Sequence, residues 1–136
     1  MRVYLAGPMT HNPDGKKWRR QVKHSSTTVD WLDPVAEAKE DEEDLEPETI
    51  VELDRGMLRD ADAVLVGDTG ERSPGTWREV EYALSICEIP VVILLDPLNA
   101  GNLDKLHQPS PWLRQAGHCS MFLEDAIYQI RQEVSE

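Results

Sequence analysis

The stretch Ala63–Gly67, with the sequence AVLVG, decides the fold that we expect for this chain. It is short, apolar and rich in valine, which is typical of a strand buried on both faces of a parallel sheet. The segment before it, Pro47–Ala61, has apolar residues at helical spacing and predicts a helix. After it come a predicted helix, Gly75–Cys87, and a second apolar run, Pro90–Leu95. A helix between two such strands is the crossover unit of a parallel sheet.

The rest of the chain extends this pattern in both directions. Arg2–Ala6 (RVYLA) predicts a buried strand, Lys16–Lys23 a helix, and Val29–Leu32 a second strand. Phe122–Val134 predicts a last helix, whereas Asp96–Ser120 shows no regular pattern and is expected to be irregular. We therefore expect an α/β fold over residues 1–136, a single domain built on a doubly wound, Rossmann-like or flavodoxin-like parallel sheet.

For four such strands the simplest order is 2-1-3-4, with a possible fifth strand at the edge. This order places the topological switch point between the first and third strands, where ligands bind in folds of this class. The loops that follow those strands, Gly7–Asp14 and Asp68–Pro74, are expected to border the ligand crevice.

Charge and composition limit the classes of partner. Against 14 basic residues, five of them lysines, stand 26 acidic ones, which gives a net charge of −12. Such a chain is not expected to bind nucleic-acid polymers or anionic membranes. A surface rich in acid and poor in lysine suits high salt, and an ordinary acidic cytoplasmic protein fits equally well. The N-terminal apolar run is too short for a signal peptide. No stretch is long enough to span a membrane, so a cytoplasmic location is expected.

Cofactors are not expected from the motifs. Thr76 stands where a phosphate-binding Walker A loop requires lysine, and the loop after the first strand lacks the G-x-G-x-x-G of dinucleotide sites. Cys87 and Cys119 do not form a C-x-x-C pair, and the four histidines show no ligand spacing. We expect neither a metal nor a cofactor.

Three polar residues near the crevice allow a catalytic and a structural interpretation. Glu79 is expected near the start of its helix, where the dipole would keep it ionised as a nucleophile or merely stabilise the helix. Asp54 lies on the apolar stripe of its helix, so it either pairs with a neighbouring arginine or faces a crevice. Tyr4 on the first strand packs in the core unless the crevice exposes its hydroxyl.

Taken together, four segments resemble the nucleoside 2-deoxyribosyltransferase superfamily, which includes the 2'-deoxynucleoside 5'-phosphate N-hydrolases. They are VYLAGPM at residues 3–9, WLDP at 31–34, RDADAVLVGD at 59–68 and SPGTWREVEYAL at 73–84. The resemblance spans roughly residues 1–95, and its most specific piece is the G-T-x-x-E-x-x-Y-A pattern that begins at Gly75.

The resemblance implies a role for each of the three residues. Glu79 corresponds to the nucleophile that attacks C1' of the deoxyribose, Asp54 to the residue that helps protonate the leaving base, and Tyr4 to the residue that orients the nucleophile. Glycosyl transfer needs one carboxylate at C1' and a proton source at the leaving group. The resemblance also implies a homodimer or larger homo-oligomer.

One position departs from many of the transferases. Ser73 stands six residues before the nucleophile, where those enzymes carry an aspartate that binds the sugar. The resemblance to the nucleotide hydrolases implies that Ser73 binds a 5'-phosphate. The expected substrate-binding set is Gly7, Pro8, Met9, Arg19, Ser73, Gly75 and Thr76.

The sequence therefore predicts an enzyme that cleaves the N-glycosidic bond of a 2'-deoxynucleoside or its 5'-monophosphate through Glu79. Transfer of the sugar to another nucleobase is the first expectation, and hydrolysis to base and deoxyribose 5-phosphate is the alternative. A non-catalytic nucleotide-binding module on the same scaffold is a third possibility. The expected partners are small nucleosides, nucleotides and nucleobases.

Overall fold

A computed structural model describes residues 1–7, 13–37, 46–69, 73–95, 97 and 111–135 of the chain. The strands within these ranges are β1 (Arg2–Ala6), β2 (Asp30–Leu32), β3 (Ala63–Asp68), β4 (Val91–Leu95) and β5 (His118–Ser120). They form one five-stranded sheet in the order β2-β1-β3-β4-β5, and every pairing is parallel. The predicted doubly wound α/β fold, including its fifth strand, is confirmed.

The helices of the described ranges include the four that the sequence predicts and two short ones that it does not. They are α1 (Pro13–Ser25), α2 (Pro34–Glu37), α3 (Pro47–Asp60), α4 (Pro74–Tyr82), α5 (Pro111–Ala116) and α6 (Leu123–Ser135). A π-helical turn, Ala83–Cys87, continues α4 to the end of the helix expected from the sequence. It ends at Glu88, whose φ of 55° is left-handed.

The expectation of an irregular segment over Asp96–Ser120 is wrong for its last ten residues. These contain α5 and β5, and β5 pairs with β4 so that Ile93 lies beside Cys119. The strand has only three residues, one of them an exposed histidine, so no apolar run marks it in the sequence. Pairing with the buried β4, rather than local hydrophobicity, defines this strand.

Alternation along the strands divides the core between the two faces of the sheet. Within the described ranges, one cluster packs Val3 and Leu5 of β1 with α1 and α6. The other packs Tyr4 and Ala6 of β1 with residues of α3, α4 and α5. Tyr4 therefore faces the same side of the sheet as the helices that carry Asp54 and Glu79.

Trp18 packs tightly against the ends of β1 and β3. A Cβ atom at Gly7 would lie 2.9 Å from the indole of Trp18, and one at Gly67 would lie 2.5 Å from it. Both distances are shorter than side-chain packing permits, so the two positions require glycine while Trp18 is present. Trp18 is fully buried, and its ring holds the two strand ends at the switch point in close contact.

Candidate active site

The cleft between α3 and α4 brings two carboxylates together. Its volume is about 270 Å³, and both Asp54 and Glu79 line it. The other lining residues come from the same two helices and are mostly apolar or arginine: Ile50, Val51, Arg55, Leu58, Gly75, Arg78 and Tyr82. Asp54 therefore borders this cleft, and its side chain is half-buried there.

Glu79 has a strongly perturbed proton affinity. Burial, followed by the negative charge of Asp54, raises the pKa of Glu79 to about 8, against smaller opposing effects of Tyr4 and Arg19. At neutral pH most Glu79 side chains in the ligand-free protein are therefore protonated. Two carboxylates whose charges raise one another's proton affinity titrate as a pair, which is a recurrent arrangement in catalytic sites.

The expected cause of ionisation at Glu79 is wrong. The helix α4 begins at Pro74, with Ser73 as its N-cap, so Glu79 is the sixth residue of the helix. The effect of the helix dipole falls off within the first turn, and burial outweighs it here. Among the effects on Glu79, those that favour its ionised form come from Tyr4 and Arg19.

Tyr4 lies behind the two carboxylates and is fully buried. Burial, and then the charges of Glu79 and Asp54, raise the pKa of its phenol, so the hydroxyl stays neutral. The hydroxyl has no hydrogen-bond partner of standard geometry among the described residues. It nevertheless lies close enough to Glu79 to lower the pKa of that carboxyl through a weak hydrogen-bonding contact. Tyr4 is thus placed to donate to an ionised Glu79.

Arg19 supplies a buried positive charge on the same site. Only 1% of its surface is exposed, and Nη2 donates a 3.0 Å hydrogen bond to the carbonyl oxygen of Gly7. Its Nε lies 3.5 Å from Oδ1 of Asp33, and its guanidinium stacks on Trp18 at 4.7 Å from the ring centroid. Burial lowers the pKa of Arg19, and the charges of Asp33 and Glu79 oppose this effect. Arg19, which lies in α1, is thus hydrogen-bonded to the backbone just after β1. Its positive charge stabilises the negative charge of Glu79.

Ser73 and Thr76 lie in a second, smaller depression. Ser73 caps α4: its Oγ accepts hydrogen bonds from the backbone N–H of Thr76 at 3.3 Å and from Thr76 Oγ1 at 2.8 Å. Within the part of the chain that the structure describes, the Ser73 hydroxyl only accepts hydrogen bonds, so its own hydrogen can be donated to a ligand. The depression holds about 30 Å³, and Asp68 at the end of β3 also lines it.

The nearby Asp68 corrects one premise of the phosphate prediction. We expected that Ser73 would leave a phosphate without a carboxylate beside it, but the Asp68 side chain borders the same depression. A phosphate there would need donors that outweigh this charge. Of the other predicted binding residues, Gly75 lines the larger cleft, Gly7 ends β1, and Pro8 and Met9 lie outside the described residues.

Sequence reasoning missed three residues of the cleft: Arg55, Arg78 and Tyr82. Tyr82 follows Glu79 by three residues, and this spacing places the two side chains on one face of α4. That spacing was a usable signal. Arg55 is one of the two arginines that could pair with Asp54 by sequence position, the other being Arg59, and its guanidinium lies over the ring of Tyr82, 5.2 Å from the centroid.

Two general features of the described residues bear on the type of site. No group of three His, Cys, Asp or Glu side chains in these ranges is placed to hold a metal ion. Within the same ranges, no helix is both long and apolar enough to cross a membrane.

Solved structures with this fold include deoxyribosyltransferases. A conserved protein from Enterococcus faecalis V583 superimposes with a TM-score of 0.71 at 18% identity, covering 97% of this chain and 98% of its own. A 2-deoxyribosyltransferase from Leishmania mexicana gives a TM-score of 0.56 at 22% identity, covering 68% of this chain and 63% of that one. The enzyme from Bacillus psychrosaccharolyticus gives 0.55 at 19% identity, with 87% and 92% covered. At these identities the likeness establishes the fold alone.

The family assignment comes from the sequence itself. A comparison with curated proteins finds no match. The family model described as nucleoside 2-deoxyribosyltransferase, however, matches residues 3–109, a range that includes β1, α3 and α4 with Tyr4, Asp54 and Glu79. Because this match covers most of the chain and contains the two carboxylates of the cleft, the protein belongs to the nucleoside 2-deoxyribosyltransferase family.

Proposed function

We propose that the protein cleaves the N-glycosidic bond of a 2'-deoxynucleoside or its 5'-monophosphate and transfers the deoxyribosyl group to another nucleobase. One observation carries the proposal: Asp54 and Glu79 line the same cleft, and burial together with the charge of Asp54 raises the pKa of Glu79 to about 8. Retaining glycosyl transfer uses two such carboxylates, one as nucleophile and one to manage the proton.

The pair provides both groups that the first step requires. Ionised Glu79 attacks C1' with an oxygen lone pair, and an ester bond forms while the bond from C1' to the base nitrogen breaks. The electrons of that bond go to the base, which takes up the proton held by Asp54. In the ligand-free pair the proton lies mostly on Glu79. The reactive form carries that same proton on Asp54, which leaves Glu79 ionised.

Tyr4 and Arg19 support the ionised form of Glu79. The Tyr4 hydroxyl and the charge of Arg19 both lower the pKa of Glu79, against burial and Asp54. In the second step a nitrogen of the incoming base attacks C1', the ester bond breaks, and Glu79 leaves as a carboxylate. Asp54 takes up the proton that the attacking nitrogen loses, which restores the starting pair. Preorganised donors of this kind stabilise charge without reorganisation during the reaction.

Hydrolysis of deoxynucleoside 5'-monophosphates is the second candidate. The observation that favours it is Ser73, whose hydroxyl caps α4 and can still donate to a phosphate oxygen. In this case water replaces the incoming base in the second step. The products are then the free base and deoxyribose 5-phosphate.

The covalent ester distinguishes catalysis from simple binding. We expect Glu79→Gln to abolish base release, since loss of a covalent nucleophile costs several orders of magnitude in rate. Glu81→Gln is the matched control, because Glu81 is exposed on the same helix and bonds to Ser85. Each deoxynucleoside and its monophosphate is incubated with and without a free base, and the products are separated by chromatography.

Mass spectrometry of the quenched protein should show a deoxyribosyl adduct on the peptide that contains Glu79. A nucleotide-binding module would form no adduct. Should Glu79→Gln retain more than a tenth of wild-type base release, a loss below about 1.4 kcal/mol, the nucleophile assignment is wrong. Product formation only in the presence of a free base would identify a transferase, and formation in its absence a hydrolase.

A further inference from the structure

We propose that Arg55 and Tyr82 form a stacking platform for the nucleobase, held in place from outside the cleft by Arg59. This inference rests on the proposed function, because it assigns a place in the cleft to the leaving base. We call the stacked pair Arg55 and Tyr82 the platform.

The platform is adjacent to both carboxylates. Arg55 follows Asp54 in α3, and Tyr82 lies three residues after Glu79 on the same face of α4. Both platform residues line the cleft, as do the two acids. A base that stacks here would have the bond to its sugar near Glu79 and a ring nitrogen near Asp54.

The two side chains are already arranged as a stack. The guanidinium carbon of Arg55 lies 5.2 Å from the centroid of the Tyr82 ring, within the range of a cation–π contact. Because Arg55 also lines the cleft, its guanidinium is within reach of a ring that is bound there. Proteins commonly stack unpaired bases on aromatic rings and on guanidinium planes.

Arg59 fixes the orientation of the aromatic member. Its Nη1 donates a 3.1 Å hydrogen bond to the Tyr82 hydroxyl, and its Nη2 donates a 2.6 Å bond to Glu52. These two bonds raise the pKa of Arg59, and the bond to Arg59 lowers the pKa of Glu52. Arg59 does not line the cleft, so it acts as a positioning residue through Tyr82.

The remaining walls suit a planar heteroaromatic ring. Ile50, Val51 and Leu58 supply apolar surface from α3, and polar groups are supplied by Asp54 and Arg78. The volume of about 270 Å³ is many times that of one water molecule. Ligand pockets typically combine such apolar walls with a few polar groups that fix orientation.

The test is a calorimetric titration of free adenine, hypoxanthine, cytosine and thymine, which needs no turnover. The decisive variant is Arg55→Lys, which keeps the charge and removes the planar group. We expect both Arg55→Lys and Arg55→Ala to raise the Kd of the best-bound base about tenfold, equivalent to 1.4 kcal/mol. Tyr82→Leu should have an effect at least as large.

The control is Arg131→Ala, which removes an exposed arginine from α6 on the other side of the sheet. It should leave the Kd unchanged. Wild-type affinity in Arg55→Lys would show that charge, not stacking, is the contribution and would overturn the platform. Failure of all four bases to bind the wild-type protein would overturn it as well.

The positioning role of Arg59 has its own readout. Arg59→Ala should raise KM with little change in kcat, and Arg59→Lys should restore part of the loss by bonding the Tyr82 hydroxyl. Equal KM values in Arg59→Ala and wild type would show that Arg59 does not position Tyr82 for base binding. If bases bind through the platform but no base is ever released from a nucleoside, the proposed function fails while the platform stands.

Discussion

The Tyr4 phenol and the Glu79 carboxylate shift each other's pKa in opposite directions. The charge of Glu79 raises the pKa of Tyr4, and the Tyr4 hydroxyl lowers the pKa of Glu79. One residue comes from the first strand and the other from α4, so the sheet topology itself creates the pairing. A neutral donor thereby lies next to the carboxylate that we propose as the nucleophile.

This relationship predicts how activity depends on pH. The proposed first step needs one proton on the Asp54–Glu79 pair, and that proton is lost with the pKa of about 8 assigned to Glu79 in the free protein. We therefore expect kcat/KM to fall as pH rises and to reach half its maximum near that value. Tyr4→Phe removes the donor and keeps the ring, so the midpoint should move upward and the rate at pH 7 should fall. The measurement is kcat/KM from pH 6 to 10 for both proteins. A midpoint that stays in place or moves downward would remove Tyr4 from this role.

The raised pKa of Glu79 also predicts that the site costs stability at alkaline pH. A carboxyl whose pKa is higher folded than unfolded contributes most to stability below its unfolded value of about 4.5, and this is lost as pH rises toward about 8. Glu79→Gln should therefore increase the free energy of unfolding by roughly 2–4 kcal/mol at pH 8.5 and by less than about 1 kcal/mol at pH 5. Urea unfolding at the two pH values measures this, with Glu81→Gln as control. A gain independent of pH would contradict the assigned cause.

The capping role of Ser73 makes one variant a clean probe of phosphate binding. Aspartate is as good an N-cap as serine, so Ser73→Asp should preserve α4 while placing a second carboxylate near Asp68. We expect the wild-type protein to bind a deoxynucleoside 5'-monophosphate at least as tightly as its nucleoside. Ser73→Asp should reverse that order at a cost of about 1–3 kcal/mol.

Ser73→Ala should weaken the monophosphate only mildly, and loss of the cap should lower stability by about 1 kcal/mol. The measurement is competition between a monophosphate and its nucleoside for each variant. A tenfold preference for the bare nucleoside that Ser73→Asp leaves unchanged would show that Ser73 does not contact phosphate. The transferase proposal on free nucleosides would then stand alone.

The acidic surface predicts a response to salt if it is an adaptation to high salinity. With a net charge of −12, self-repulsion should be screened as KCl rises from dilute to molar concentration, and Tm should increase. Thermal unfolding followed by circular dichroism is sufficient. A Tm that is constant or falls over this range would exclude adaptation to high salt and favour the alternative of an ordinary acidic protein. It would not affect the catalytic proposal.

The parts of the fold that local pattern determines were predictable from the sequence. Apolar runs predict β3 and β4, and apolar residues at helical spacing predict α3. Strand alternation places Tyr4 on the face that carries α3 and α4. By contrast, β5 exists only because β4 offers it a partner. Its three residues carry no periodic signal.

The candidate site was predictable in its members and not in its electrostatics. Spacing and resemblance identified Glu79 and Asp54, but the pKa of Glu79 depends on how much water the folded chain excludes from it. Burial of Arg19 and the position of Asp68 beside Ser73 likewise depend on tertiary packing. These properties depend on contacts between segments that are far apart in the sequence, so no pattern within one segment predicts them.

The packing of the Trp18 indole limits which residues can be substituted near the ends of β1 and β3. The indole packs with the α1 and α6 side of the sheet, yet it fixes the separation of Gly7 and Gly67, and β1 also carries Tyr4. A larger residue at position 67 is therefore compatible with the fold only if the ring at position 18 is reduced at the same time. Gly7 stays restricted even then, because its φ is 157° and an added Cβ would also lie 2.9 Å from the backbone oxygen of Gly67. Positions 18 and 67 thus have to be varied together, whereas position 7 is best left as glycine.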